Sequence, residues 1–304
     1  MEINEFTRRV RSAVKNELGE TYRVELREVR KNNGIMMHGL LICSPHDNVI
    51  PTIYLDSFWE AYEEGTAFAV IIRKLLEIYR EDSPKEKLDL GFFKYFERVR
   101  DNICYRLVRQ KGNEAILREI PYVEFLDLAV CFFFVYRGGR TDGGSILIKN
   151  VHQRGWGIGT VDLMRAAEKN TPRLFPWECR SMEEILEEMT EADAKEAEEG
   201  SAKENFLSEV PMRVLTNRRH IQGAACMLYP GLLERLAEKE GRNLFILPSS
   251  VHEVILLPEM GGESAAQLQS MIREVNQTQV APHEVLSDNL YFYDSAEKRV
   301  RIIS

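Results

Sequence analysis

The segment Ser249-Ser250-Val251-His252-Glu253 places a hydroxyl, an imidazole and a carboxylate within a few residues of one another. Nucleophilic catalysis needs a base within hydrogen-bond reach of the nucleophile and a group that orients the base. On an extended strand, Ser250 and His252 share a face while Glu253 points to the other, so a dyad can form but a local relay cannot. The G-x-S-x-G pattern of a nucleophile elbow is absent. We therefore interpret the segment as a polar turn that enters a strand, and retain Ser250 and His252 as catalytic candidates.

A glycine-rich run follows Arg154 and lies between a predicted strand, Ser145–Lys149, and a predicted helix that begins at Thr160. Backbone amides at a helix N-terminus can bind an anion, and glycines allow a ligand to approach closely. The complete G-x-G-x-x-G and phosphate-loop patterns are missing, so we favour a turn anchored by a buried Trp156. The alternative is an anion site, with these ligand-binding candidates: Arg154, Gly155, Trp156, Gly157, Gly159 and Thr160.

A second glycine-rich loop, Gly138–Gly144, contains Asp142, which we name as a further ligand-binding candidate. The loop has no phosphate-loop lysine, and it separates two predicted strands, Leu128–Tyr136 and Ser145–Lys149. These features favour the tip of a β-hairpin over a ligand site.

The histidines, cysteines and carboxylates of the sequence show no spacing that is typical of metal ligands. His252-Glu253 lacks the second histidine of H-E-x-x-H because Leu256 stands at that position, and the remaining histidines have no cysteine or carboxylate at ligand spacing. The five cysteines show no C-x-x-C spacing, and an odd number cannot pair completely, so we expect most of them to be reduced and packed in the core. We predict no metal site and no cofactor.

The net charge lies almost wholly in one stretch, residues 183–204. It contains ten acidic residues and two lysines, which gives an excess of eight negative charges, the same as the charge of the whole chain, -8. The remaining 38 basic and 38 acidic residues cancel (40 minus 2, and 48 minus 10). We interpret this stretch as an acidic connector between an N-terminal lobe, residues 1–182, and a C-terminal lobe, residues 205–304.

Hydrophobic periodicity predicts helices and hairpins without regular β-α-β alternation, which is typical of the α+β class with mixed or antiparallel sheets. Asn33-Gly34 predicts the turn of a first hairpin, and Leu128–Tyr136 predicts a central strand, because it is apolar on both faces. Ser181 and Glu184 form the sequence pattern of a capping box, which predicts a helix start. Beyond the connector we predict strands at 212–215, 244–247 and 251–257, with helices between and after them.

Composition excludes several classes of protein. The content of 44% hydrophobic and 29% charged residues is that of a globular protein, and the longest apolar run is too short for a membrane helix of about 20 residues. We see no signal peptide, so we expect a cytoplasmic protein. The neutral body and acidic connector argue against general nucleic-acid binding, which depends on a basic surface.

Several short segments are similar to known families. Lys31-Asn32-Asn33-Gly34, Pro51–Leu55, Ile148-Lys149-Asn150, Leu247–Glu253 and Glu274-Val275-Asn276 resemble the domain-of-unknown-function 5688 family of gut Firmicutes. More distantly, the order of segments in the C-terminal half is similar to the YtpQ-like family of uncharacterised Firmicute proteins. The resemblance implies no activity, cofactor or catalytic residue.

Two functions remain open at this stage. The absence of an assembled nucleophile, metal set or cofactor loop favours a non-catalytic binding or regulatory protein, with a protein partner or a small ligand. The alternative is a hydrolase whose site is built from residues distant in sequence, for which Ser250, His252, Arg154 and Asp142 are the candidates.

Overall fold

The computed structural model describes residues 2–44, 50–82, 91–136, 144–185, 211–262 and 264–303. Its contacts divide the chain into two compact units, Met1–Lys94 with Tyr136–Gly144, and Tyr95–Val135 with Ser145–Ser304. Every strand pair in the described residues is antiparallel, and helices accompany each sheet. The predicted α+β class is therefore confirmed, with antiparallel sheets.

The first unit is a three-stranded sheet with helices. Its elements are α1 (Ile3–Leu18), β1 (Arg23–Arg30), β2 (Met36–Cys43), β3 (Thr52–Tyr54), α2 (Asp56–Glu63) and α3 (Phe68–Asp82). The apolar stripe of α1, with Phe6, Val10 and Val14, packs in one core with Leu40 and Ile42 of β2. The predicted hairpin is confirmed: β1 pairs with β2 through a turn in which Asn33 has φ 60°.

The second unit contains two sheets, of which the first is small. Its elements are α4 (Phe96–Val99), β4 (Ile103–Arg109), α5 (Glu114–Leu117), β5 (Tyr122–Phe125), β6 (Leu128–Val135) and β7 (Ser145–Leu147). β6 is the central strand, since β4 pairs on one side and β5 and β7 pair on the other. Every residue of β6 is buried, which confirms the prediction of a strand covered on both faces.

The second sheet of this unit has six strands in the order β13-β12-β10-β11-β9-β8. The remaining elements are α6 (Asn150–Trp156), α7 (Thr160–Leu174), β8 (Trp177–Ser181), β9 (Arg213–Asn217), α8 (Leu232–Glu240), β10 (Leu244–Leu247), β11 (Val254–Pro258), α9 (Ala265–Thr278), β12 (Leu290–Asp294) and β13 (Arg299–Ile303). Helix α9 covers part of one face, where Leu268 and Ile272 pack with Phe245 and Leu257.

The two units differ from the lobes expected from the sequence, 1–182 and 205–304. β8 precedes the acidic connector and β9 follows it, yet the two strands pair from Trp177↔Asn217 to Ser181↔Arg213 in one sheet. Residues 183–204 therefore join adjacent strands of a single unit, and most of them lie outside the described residues. The start of the predicted acidic helix is confirmed, because Ser181 and Glu184 exchange both capping-box hydrogen bonds, each at 3.1 Å.

None of the helices in the described part of the chain combines the length and the apolar composition needed to cross a bilayer.

Candidate functional site

Ser250 and His252 lie close together but do not form a dyad in the described contacts. The Ser250 hydroxyl oxygen accepts a hydrogen bond from the backbone N–H of His252 at 3.0 Å, and only 4% of Ser250 is exposed. The strand that we predicted from Val251 begins at Val254. The reason is local, because a serine hydroxyl that binds the backbone two residues later stabilises a turn in place of a strand ladder.

The ring of His252 connects three segments of the chain. Its Nδ1 atom lies 3.3 Å from the backbone nitrogen of Gln222 and 3.2 Å from the carbonyl oxygen of His220, and Nε2 lies 3.3 Å from Glu284 Oε1. According to the tautomer, Nδ1 either accepts from the Gln222 N–H or donates to the His220 carbonyl oxygen, and Nε2 faces the Glu284 carboxylate. Both ring nitrogens are then engaged, and His252 fixes the position of the loop that carries His220.

This loop, residues 217–223, has an unusual backbone. His220 and Gln222 have φ angles of 53° and 55°, in the left-handed region that residues other than glycine adopt infrequently. The buried side chain of Asn217 holds the turn, since its amide donates to the Ile221 carbonyl at 2.8 Å and its oxygen accepts from the Arg219 N–H at 3.0 Å. The imidazole of His220 is thereby held at the rim of a cavity.

That cavity, the strand groove, lies over β8, β9 and the start of β11 and has a volume of about 350 Å³. Its polar lining comes from Glu178, Arg180, Thr216, His220 and Glu253. The pairing Glu178↔Thr216 and Arg180↔Val214 places the residues from β8 and β9 on one face of the sheet.

The floor of the strand groove is apolar and includes Val214 and Ile255, which are Cα partners in the β9–β11 ladder. His220 Nε2 lies 4.0 Å from Glu178 Oε1, and 31% of the Glu178 side chain is exposed. Glu178 and Arg180 thus place opposite charges on β8, above the apolar floor of the groove. This is the usual composition of a small-ligand site, and the volume is at the lower end of the range of about 300–1,000 Å³ for such sites.

The glycine-rich run is a helix–turn–helix connection and not the strand–loop–helix that we expected. Gly157 ends α6 with φ 67°, and α7 begins at Thr160 after Gly159. The carboxylate of Asp162 accepts a hydrogen bond from the Gly159 N–H at 2.9 Å. The chain's own carboxylate therefore occupies part of the helix N-terminus that we considered for a bound anion.

The other candidates of this run have structural contacts. Thr160 Oγ1 accepts from the Gln153 amide at 3.1 Å, and the ring of Trp156 lies 6.0 Å from that of Phe96. Arg154 and Gly155 lie on the exposed surface of α6. Trp156 anchors the turn, although it is half-buried where we expected a buried residue. Asp142 lies outside the described residues.

Within the described ranges, no group of three or more His, Cys, Asp and Glu side chains is placed to bind a metal ion.

The residues of the strand groove were missed by the sequence reasoning. One sequence pattern could have indicated them. In Trp177–Ser181, charged residues occupy alternate positions, which is typical of a strand with one polar face. Its partner strand begins only at Arg213, so the sequence did not show that the two would be neighbours.

Comparison with known proteins gives a family but no function. The sequence model of the DUF5688 family, a family of unknown function, matches residues 3–295, so the chain belongs to that family. No curated protein and no solved structure matches the chain.

Proposed function

We propose that this member of the DUF5688 family is a non-catalytic binding protein, and that the strand groove binds a small ligand carrying both an anionic and a cationic group. A free amino acid or a short peptide has this chemistry. The observation that carries the proposal is the position of Arg180 among Glu178 and Glu253 above the apolar floor of Val214 and Ile255.

Each part of such a ligand has a complementary group in the strand groove. A guanidinium binds a carboxylate through two parallel hydrogen bonds, which suits Arg180 to the anionic end. Carboxylates bind an ammonium group, which suits Glu178 and Glu253 to the cationic end. A side chain of the ligand would cover the floor, with about 25 cal/mol gained for each Å² of apolar surface removed from water.

The contacts of Ser250 and His252 also support a non-catalytic role. A nucleophile must present its oxygen to a base, whereas the Ser250 hydroxyl accepts from a backbone N–H. The lack of any disulfide among the five cysteines of the described structure supports a cytoplasmic location, because disulfides are rare in that compartment.

One observation favours the alternative of a hydrolase. Nε2 of His252 lies 3.3 Å from a carboxylate oxygen of Glu284, and an imidazole paired with a carboxylate is a common general base. A screen with activated esters separates the two functions. Hydrolysis that Ser250→Ala abolishes and Ser249→Ala retains would establish the hydrolase, whereas our proposal expects no turnover by the wild-type protein.

The binding function is tested by thermal unfolding with free amino acids and dipeptides. A ligand at about 100 times its Kd stabilises the folded state by about 2.7 kcal/mol. In a chain of this size each kcal/mol raises the Tm by about 2–4 °C. We expect a shift of several degrees with one group of these ligands.

The matched variants are Arg180→Gln and Arg299→Gln. Both arginines lie on terminal strands of the described six-stranded sheet, but only Arg180 lines the groove. We expect Arg180→Gln to remove the shift and Arg299→Gln to retain it. A shift that survives Arg180→Gln would place the ligand elsewhere and contradict the proposal.

A further inference from the structure

A second cavity, of about 550 Å³, lies at Trp177, Arg218 and Arg235, and we call it the arginine–tryptophan pocket. On an extended strand Trp177 points to the opposite face from Arg180, whose side chain lines the strand groove. The indole is 38% exposed, which is high for the largest apolar side chain. The cavity goes beyond the function proposed above, since its arginines and its tryptophan do not line the groove.

The two arginines come from different elements and converge on one space. Arg218 directly follows β9, and its N–H donates to the Pro176 carbonyl at 2.9 Å, which holds it beside the start of β8. Arg235 lies on α8, with its guanidinium carbon 5.9 Å from the centre of the Trp177 ring. In the described part of the chain, neither guanidinium forms an ion pair with a carboxylate.

Glu178 also lines this pocket, where its single negative charge offsets one of the two arginine charges. Its Oε1 atom is the one that lies 4.0 Å from His220 Nε2, at the rim of the strand groove. The local charge of the arginine–tryptophan pocket is therefore positive, although the chain as a whole has a net charge of -8.

The remaining wall is apolar and rigid. It contains prolines at 172, 176 and 230, whose rings fix the backbone, and the ring of Tyr229. The Tyr229 hydroxyl donates to the Phe175 carbonyl at 2.7 Å, so its polar end is satisfied and its ring is held in place. The lining of the pocket thus combines flat apolar rings with two arginines.

We propose that the arginine–tryptophan pocket binds an organic phosphate that carries a flat ring, with a nucleoside monophosphate as the ligand class. Guanidinium groups bind phosphate oxygens through paired, charge-assisted hydrogen bonds. Two guanidinium groups together balance the charge of a phosphate monoester. The ring of the ligand stacks on the indole of Trp177, an interaction that tolerates different bases because each has a π-face.

The test uses the full chain and AMP as the probe, with adenosine and inorganic phosphate as partial ligands. Binding is followed by calorimetry and by quenching of tryptophan fluorescence, with Trp177→Phe to identify the reporting residue. We expect AMP to bind more tightly than either partial ligand. Equal binding of adenosine would overturn the role of the arginines, and equal binding of inorganic phosphate would overturn the role of the ring.

Variants locate the site and separate it from the strand groove. We expect Arg218→Gln and Arg235→Gln each to weaken AMP binding by about tenfold or more, the usual effect of losing a hydrogen bond to a charged group. Arg273→Gln, at an exposed position of α9, and Arg180→Gln, in the groove, should leave AMP binding unchanged. No binding of AMP, or binding that none of the pocket variants weakens, would overturn the inference without bearing on the groove.

Discussion

The phenolic hydroxyl of Tyr291 donates a hydrogen bond to the carboxylate of Asp127. Asp127 lies in the turn between β5 and β6, and Tyr291 lies on β12, so the bond joins the two sheets of the second unit. Ser287 and Asn289 donate to the other carboxylate oxygen, at 2.6 Å and 3.1 Å. One acidic side chain thus collects three donors from the segment that leads into β12.

We expect this network to stabilise the second unit. Asp127→Asn replaces one acceptor oxygen by an NH2 group, so at least one of the three donors loses its acceptor. Since losing a hydrogen bond to a charged group costs about 1.5–3 kcal/mol, the free energy of unfolding should fall by at least this amount. Tyr291→Phe should cost about 1–2 kcal/mol, because it removes one donor. Urea unfolding measures both. Asp101→Asn, at an exposed position, is the control, and equal stability of Asp127→Asn and this control would refute the network.

Buried tyrosines predict a loss of stability in alkali. Burial raises the pKa of Tyr105, Tyr229 and Tyr291 above the ordinary value of about 10, and the neighbouring Asp127 carboxylate raises that of Tyr291 further. A raised pKa in the folded state means that this stability is complete below pH 10 and is lost as the pH rises above it, where the unfolded phenols ionise.

A spectrophotometric titration checks this prediction. Part of the rise in phenolate absorbance should be delayed, and this part, from Tyr105, Tyr229 and Tyr291, should coincide with the loss of the folded circular dichroism signal. A single stage that is complete before unfolding would show that the three phenols are accessible.

Gly223 has no room for a larger residue. A Cβ atom there would lie 2.2 Å from Thr216 Oγ1 and 2.3 Å from the His252 carbonyl oxygen, and these two atoms share a hydrogen bond of 2.8 Å. We expect Gly223→Ala to cost about 1–3 kcal/mol, as overpacking does, and to weaken ligand binding in the strand groove that Thr216 lines.

Gly155→Ala is the matched control in thermal unfolding. Gly155 lies in α6, and a Cβ atom at this position would have no neighbouring atom within 4 Å outside the adjacent helix backbone. Alanine should therefore stabilise the chain by about 0.5–1 kcal/mol through its helix propensity. If Gly223→Ala is as stable as the wild type, the close packing of the 217–223 loop against His252 is wrong.

Cysteine burial gives an independent test of the core. Burial raises the pKa of Cys131 and of Cys226 to about 12, and both residues are almost fully covered. We expect a thiol reagent to label only the partly exposed Cys43 and Cys179 in the folded protein, and to label the three buried cysteines as well once denaturant is added. Rapid labelling of Cys131 in the native state, located by mass spectrometry, would contradict the buried position of β6.

Local signals predicted the elements whose partners are close in sequence. The β1–β2 hairpin follows from Asn33-Gly34, and β6 follows from a run that is apolar on both faces. The strand predicted at 244–247 has the same bounds in the structure, Leu244–Leu247. By contrast, the strand predicted at 251–257 begins only at Val254, because residues 250–252 form a turn.

The strand groove could not be predicted because its walls meet through long-range pairing. β8 and β9 are separated by the whole acidic stretch, and β11 is separated from β9 by α8 and β10. Ser250 and His252 could be identified as candidates in the sequence. The role of His252, however, depends on its ring contacts with Gln222, which precedes it in the chain, and Glu284, which follows it. For Ser250 and His252, the sequence therefore identified the residues but not their partners, whereas the residues of the strand groove were not identified at all.

The pairing of β8 with β9 has a consequence for how the charge of this protein can change. Because the ladder fixes Ser181 and Arg213 side by side, the entropic cost of closing the connection between them, which contains residues 183–204, grows only with the logarithm of its length. We therefore expect insertions and deletions in this connection, beyond the capping box of Ser181 and Glu184, to leave the register of the sheet intact. Since the stretch holds the entire charge excess of -8, relatives can drift in isoelectric point while keeping the same fold.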